Sequence, residues 1–137
     1  MITYKINQNI SLEKTMNLIS KFPQYKWRNE EKTDKAIKNS ILNVIAYDKE
    51  CNKMVGMILA GTPDKAYFIY VHSLMVDPDY CRMGIGEKLM KILLEECEKL
   101  DYMDTVCFAA SGARTFLEKM GFVKDLDNIQ GMILAKK

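Results

Sequence analysis

The sequence predicts an α/β (α+β) protein built on a mixed, mostly antiparallel sheet, and three observations carry that expectation. The β-rich runs Asn43 to Asp48, Met54 to Leu59 and Tyr67 to Val76 follow one another across short polar turns, the pattern of antiparallel neighbours. The third run passes through a glycine-bearing turn, Cys81-Arg82-Met83-Gly84-Ile85-Gly86, into an amphipathic helix and then a further apolar strand. That strand, helix, strand crossover demands a parallel pair. The chain has 137 residues, 48% of them hydrophobic, which suits one buried core and a single domain over residues 1–137.

Ile2 to Ile6 alternates as a short first strand. Ser11 supplies the cap oxygen for a helix whose Leu12, Met16, Ile19 and Phe22 share one face until Pro23 closes it. Residues 30 to 39 are strongly charged around Ala36 and Ile37, as in a solvated helix that also suits a lid. Lys49-Glu50-Cys51-Asn52-Lys53 turns one strand pair and Gly61-Thr62-Pro63-Asp64 the next. Beyond the glycines, Ile85, Leu89, Ile92, Leu93, Cys97 and Leu100 recur at helical spacing, with Glu87 at the positive end of the dipole and Lys99 at the negative end. Thr105 to Ala110 reads as a compact strand. Ala113, Phe116, Leu117 and Met120 mark a short helix ended by Gly121, with Phe122 packing back on it, and Met132 to Ala135 supplies a closing strand.

Composition excludes several functions. Twenty basic against eighteen acidic side chains leave a net charge of +2, too even for the basic face of a nucleic-acid binder, so no nucleic-acid partner is expected. Cys51, Cys81, Cys97 and Cys107 lack Cys-x-x-Cys spacing, and with one histidine in the chain no metal site is expected. The thiols read as reduced. Lys5, Glu13, Lys14 and Lys21 break up the first thirty residues, and no apolar run approaches the ~18 residues of a membrane span. A cytoplasmic protein with no membrane partner is therefore expected.

The functional signal lies where the third run ends. Gly84 and Gly86 let the backbone approach a bound group, and the helix that starts there points its free N–H groups and positive dipole end at an anion. Two common phosphate motifs do not match. The dinucleotide fingerprint lacks its third glycine near Leu89, and the Gly-Lys-Ser/Thr of the nucleotide P-loop is here Gly86-Glu87-Lys88. Leu74-x-Val76-x-Pro78 followed by x-x-Gly84-x-Gly86 instead resembles motif A of the GNAT superfamily of acyl-CoA-dependent N-acetyltransferases. In the same order, Ser40 to Asp48 and Met54-Val55-Gly56 resemble that family's second and third strands. Ala113-x-x-Phe116-x-Glu118-Lys119-x-Gly121-Phe122 resembles its motif B, so the resemblance spans roughly residues 40 to 123.

The resemblance, to members of the small bacterial type, implies a GNAT fold: a twisted sheet splayed between strands 4 and 5 and flanked by about four helices. It implies an N-acetyltransferase that moves an acetyl group from acetyl-CoA, as co-substrate, to a primary amine by direct attack in a ternary complex. The backbone of Arg82, Met83, Gly84, Ile85, Gly86 and Glu87 would take the pyrophosphate. That of Leu74, Met75 and Val76 would bind the pantetheine arm as a strand does, one N–H there facing the developing oxyanion. Cys81 stands where the family usually has Gln or Arg, at a position that works mostly through its backbone. The Arg82 side chain has two readings, a contact to a CoA phosphate or a solvated loop charge.

An acceptor amine with a pKa near ~10.4 must lose a proton before it attacks. His72 stands two residues before Leu74, where the aralkylamine branch carries a histidine in a His-x-Leu-x-Val context. Tyr70 shares its strand face, where other branches place a catalytic glutamate, which suits a relay of Tyr70, His72 and water. The plainer reading makes both of them core residues of an apolar strand. Motif B departs at Leu117, where the family commonly has a tyrosine that protonates the leaving thiolate. Either Tyr80, Tyr102 or water takes that part, or the chain is an acyl-CoA-binding module with weak or no catalysis. Trp27 resembles an aromatic found after the first helix at the acceptor site, or else is a hydrophobic anchor. Glu30, Glu31 and Asp34 either draw a cationic amine to that site or form a solvated face. Small members of the family are commonly homodimers, often through the last strands.

Overall fold

The computed structural model describes residues 1–110 and 112–136. They fall into two compact units, Met1–Val106 and a second beginning at Cys107. In chain order the elements are β1 (Ile2–Ile6), α1 (Leu12–Ile19), α2 (Glu30–Lys38), β2 (Leu42–Asp48), β3 (Lys53–Gly61), β4 (Phe68–Val76), α3 (Ile85–Glu98), β5 (Asp104–Cys107) and α4 (Arg114–Lys119). The sheet runs β1-β2-β3-β4-β5. Its first four strands pair antiparallel, and the α3 crossover returns β5 beside β4 as the parallel pair. The expected mixed sheet is observed.

β2 and β3 lie in the middle of the sheet and are buried almost end to end, which is why they read as continuous apolar runs rather than as alternation. One face is covered by α1, where Ser11 Oγ accepts from the Lys14 N–H at 3.1 Å and starts the helix. Leu18 and Ile19 of α1 pack with Ile45, Met54, Met57, Leu59 and Met75. The helix stops at Ile19, short of the expected Phe22. Pro23 pushes Phe22 out of the helical region (φ −117°, ψ 95°), yet Phe22 still packs on the same core. α3 covers the other face with Ile85, Leu89, Met90, Leu93 and Cys97. Met90 is buried while Ile92 of the expected stripe is only half-buried. α2, capped by Asn29 on the Lys32 N–H at 2.9 Å, buries only Thr33 and is solvated as expected.

The feature that shapes the site is a bulge in β4. Met57 pairs with Met75, but Leu59 pairs with His72, so Ser73 and Leu74 together oppose Ile58. Ser73 takes a left-handed φ of 57° to do so. The extra residue changes the phase of the strand. His72 and Met75 come to the α1 face with their partners Leu59 and Met57, while Val76, opposite Gly56, turns to the α3 face. Strict alternation would have sent Met75 the same way as Val71.

In the second unit, α4 closes as the sequence predicts. The Phe122 N–H bonds to the Leu117 carbonyl at 3.0 Å and the Gly121 N–H to the Glu118 carbonyl at 3.0 Å, with Gly121 at φ 102°, the double bond of a left-handed C-terminal cap. Two expectations about this end of the chain are corrected. The strand expected from Thr105 to Ala110 is the shorter Asp104–Cys107. Met132 to Ala135 form no strand: among the described residues the sheet ends at β5, and Met132, Ile133 and Leu134 are 90%, 84% and 99% exposed. An apolar run becomes a strand only when a neighbour takes its backbone groups, and the run itself does not encode that neighbour.

Gly56 sets how closely α3 sits on the sheet. A Cβ there would lie 2.9 Å from Leu89 Cδ1, 3.2 Å from Ile85 Cγ2 and 3.3 Å from the Met75 carbonyl oxygen. Gly56→Ala is expected to destabilise the protein by about 1–3 kcal/mol through overpacking, read as a lower urea midpoint. An unchanged midpoint would mean α3 has room to move.

Candidate active site

The C-terminal end of β4 is held by Asp77, whose side chain is fully buried. Its N–H bonds to the Val55 carbonyl at 2.8 Å, and its Oδ1 accepts from the Asp79 N–H at 2.9 Å. Oδ2 faces the ammonium groups of Lys53 at 3.0 Å and Lys21 at 3.3 Å without the alignment of a hydrogen bond. Burial works to raise the Asp77 pKa, but the Asp79 N–H and the two lysines outweigh it and hold the carboxyl below its usual range. An ionised, buried anchor thus pins the turn that leads into α3.

The glycine turn follows. Arg82 (φ 63°) and Gly84 (φ 73°) are both left-handed, and Gly84 is the N-cap of α3. The first helical hydrogen bond runs from the Lys88 N–H to the Gly84 carbonyl at 3.0 Å, so the amides of Ile85 and Gly86 precede the ladder. A Cβ on Gly84 would meet nothing within 4 Å, and one on Gly86 only Val76 Cγ2 at an ordinary 3.6 Å. Protein packing therefore does not require glycine at 86, and the space beside the Gly84 α-carbon is open. Arg82, Met83, Gly84 and Glu87 are exposed and Ile85 is buried. Arg82 has no ion-pair partner among the described residues, so both readings of its side chain remain consistent with the structure. Cys81, also exposed, spends its N–H on the Pro78 carbonyl at 3.4 Å.

On the other edge of β4 the neighbour is short. β5 has four residues against nine in β4, and the Met103 and Asp104 N–H groups join it at the Tyr67 carbonyl, 3.0 and 3.1 Å away. The segment from the Ser73 bulge through Leu74, Met75 and Val76 runs beyond the reach of a strand that begins at the Tyr67 end. A chain-like ligand carrying amides matches such an edge. This edge and the open turn at the α3 N-terminus fit a pantetheine arm and its pyrophosphate.

His72 and Tyr70 are brought together, their rings stacked 5.1 Å apart at 20°. His72 Nδ1 lies 2.9 Å from Ser73 Oγ, and when Nδ1–H donates that bond, Nε2 is the bare basic nitrogen. A residue the sequence reading missed completes the cluster. Arg28 Nη1 donates to the same Ser73 Oγ at 3.5 Å, and its guanidinium lies 5.0 Å from the Tyr25 ring and 5.1 Å from the Trp27 ring. Burial first, and the Arg28 charge second, lower the His72 pKa from its ordinary value. The imidazole is thus neutral near pH 7. Trp27 is 68% exposed, which removes the hydrophobic-anchor reading in favour of a shelf over Arg28.

Other candidates fall away from this cluster. Tyr80 donates to Asp48 Oδ2 at 2.6 Å, which raises its pKa and makes it a poor proton donor to anything else. Leu117 is buried in α4. Glu31 and Asp34 pair with Lys35 and Lys38 one turn on, at 3.4 and 2.7 Å, as a solvated face does. An open cleft of about 460 Å³ beside α1 is lined by Lys14, Lys21, Cys51, Lys53 and Asp77; its lysines are spent on Asp77, Asp79 and Asn52, and no expected site residue lines it. Among the described residues, no three His, Cys, Asp or Glu side chains gather as a metal site, and no helix is long and apolar enough to cross a membrane.

A sheet bulged in its fourth strand, with an open left-handed turn leading into the following helix, defines an acetyltransferase fold. A family model, the acetyltransferase (GNAT) domain, matches residues 8–132, and the chain belongs to that family. It is 28% identical over 128 residues to the uncharacterized N-acetyltransferase ycf52 of Pyropia yezoensis, covering 92% of this chain and 72% of that one. It is 32% identical over 85 residues to the chloroplastic GCN5-related N-acetyltransferase 2 of Arabidopsis thaliana, covering 62% of this chain but 33% of that one. A GNAT family acetyltransferase from Streptococcus pneumoniae superposes with a TM-score of 0.83 at 27% identity, covering 100% of this chain and 99% of the other.

The lowered His72 pKa has a consequence for stability. The unfolded chain binds a proton near pH 6.5, whereas the folded one, with Arg28, Tyr70, Ser73 and Leu59 about the ring, resists it. Stability contributed by neutral His72 is therefore present above pH 6.5 and is lost as pH falls through the folded pKa. Urea unfolding between pH 7 and 5 is expected to show this slope in the wild type and a flatter one in His72→Gln; equal slopes would mean His72 titrates as in the unfolded chain.

Proposed function

We propose that this protein transfers an acetyl group from acetyl-CoA to a primary amine by direct attack in a ternary complex. The observation that carries the reading is the bulge at Ser73, which turns His72 to one face of the sheet while Val76, at the start of the glycine turn, goes to the other. The family match across residues 8–132, which runs through both compact units, also supports reading residues 1–137 as one domain.

Each residue has a stated task. The amides from Arg82 to Glu87 would hold the pyrophosphate at the positive end of α3. The backbone of Leu74, Met75 and Val76 would hold the pantetheine arm, and an N–H there would oppose the charge that develops on the acetyl oxygen. When bound, acetyl-CoA supplies the acetyl group as a thioester. His72 Nε2 would take the proton the amine sheds as its nitrogen bonds to the acetyl carbon. Tyr70, stacked on the ring, holds the imidazole in place and completes the route to water. With Leu117 where the family commonly has a tyrosine, a thiol of pKa near ~8.5 leaves tolerably as thiolate.

A second reading, an acyl-CoA-binding module with weak or no catalysis, is favoured by Leu117 and by the Tyr80 proton held on Asp48. It predicts CoA affinity with no thiol release from any amine.

Two experiments test the proposal. Calorimetric titration with acetyl-CoA is expected to show binding that Gly84→Glu with Gly86→Glu removes, because the added carboxylates repel the pyrophosphate; no binding by folded wild type would end both readings. Once an acceptor is in hand, His72→Ala is expected to lower kcat/KM by about 10²–10⁴, and the wild-type rate to fall only as pH drops below the ordinary histidine value of 6.5. An undiminished rate in His72→Ala would remove the base assignment.

A further inference from the structure

Among the described residues, Arg28 is a cation without a counter-ion at the edge of the candidate site. Its Nε is buried and has no hydrogen-bond partner among the described residues, where its polar side-chain contact, to Ser73 Oγ, is long at 3.5 Å. Among the described residues no carboxylate pairs with it, and Glu31 and Asp34 of α2 are paired with Lys35 and Lys38. The guanidinium carbon lies 5.0 and 5.1 Å from the Tyr25 and Trp27 rings, and the Arg28 N–H bonds to the Tyr25 carbonyl at 2.9 Å, which anchors its backbone. A partly desolvated guanidinium with an unspent donor costs folding energy unless something else completes it. A planar fork held on aromatic faces is built to take a carboxylate or phosphate.

We infer that the acceptor is an amine that also carries an oxyanion, with the oxyanion on Arg28 and the amine nitrogen toward His72. This rests on the acetyl-transfer reading of the site. Arg28 and His72 both contact Ser73 Oγ, at 3.5 and 2.9 Å, so the two groups they would hold stand only a few bonds apart in the acceptor. The pairing also assists the base. The Arg28 charge opposes protonation of His72, and an anion seated on Arg28 relieves that opposition as the substrate arrives.

His72 is the only histidine in the chain, so its ring proton gives one unambiguous NMR signal. The probes are two matched pairs, glycine against methylamine and O-phosphoethanolamine against ethanolamine, titrated into the full chain with and without coenzyme A. The oxyanion-bearing member of at least one pair is expected to move the His72 signal at concentrations about tenfold lower than the partner amine that lacks the oxyanion, and to raise the His72 pKa. Glycine alone responding identifies a carboxylate; O-phosphoethanolamine alone, a phosphate. Arg28→Gln is expected to erase the preference, and Arg28→Lys to keep part of it, which separates lost charge from lost fold. Equal binding within both pairs, or a preference that survives in folded Arg28→Gln, overturns the inference. Thiol release from acetyl-CoA on the same samples separates the two claims. An anion preference without release supports the Arg28 site independently of acetyl transfer; release that ignores the oxyanion supports acetyl transfer and overturns the Arg28 site.

Discussion

The site depends on a two-residue bulge in a nine-residue strand. Ser73 and Leu74 share the space opposite Ile58, and to do so Ser73 adopts a left-handed φ that costs a side-chain-bearing residue about 1–2 kcal/mol. The neighbourhood holds that strain in place. Its hydroxyl is shared by His72 and Arg28, and the flanking pairs Met57 with Met75 and Gly56 with Val76 keep the strand in the ladder on either side. Without the bulge, His72 and Met75 would lie on opposite faces and the α1 core would lose a buried methionine. The extra residue lets one strand serve a core, a candidate base and the start of the glycine turn.

The constraints around the bulge are complementary. Gly56 lets α3 lie close on β3, which brings the N-terminus of the helix beside Val76. Buried Asp77, ionised between two lysines, pins the turn from the strand side. A buried ion pair is weak evidence for stability in itself, since the cost of desolvation offsets much of the attraction. Its value here is positional: removing both lysines would leave a buried carboxylate without a cation at the turn that leads into α3. At His72 the balance runs the opposite way, with burial first and the Arg28 charge second favouring the neutral ring. The same strand end thus keeps Asp77 charged and His72 neutral.

Much of this was legible in the chain. The Gly84 turn, the Ser11 cap and the Gly121 cap are local signals that act within a few residues, and each appears where its residues predict; the α3 stripe appears with Met90 in place of Ile92. The bulge was not legible, because serine is not a mark of a left-handed residue and the apolar run from Ile69 to Val76 reads smoothly across it. Arg28 was passed over because an arginine beside a tryptophan looks like surface until the fold brings Ser73 and His72 to it. The closing strand at Met132 to Ala135 was misread because pairing is a property of two segments, and only one of them was in view.

The central claim is that the bulged end of β4 and the glycine turn together form one binding surface, and a crystal structure of the protein with coenzyme A tests it most directly. The account predicts the pantetheine amides bonded to the backbone of Leu74 to Val76 and the pyrophosphate on the amides between Arg82 and Glu87. Coenzyme A bound elsewhere, such as in the cleft beside α1, or bound with the β4 edge untouched, would contradict it.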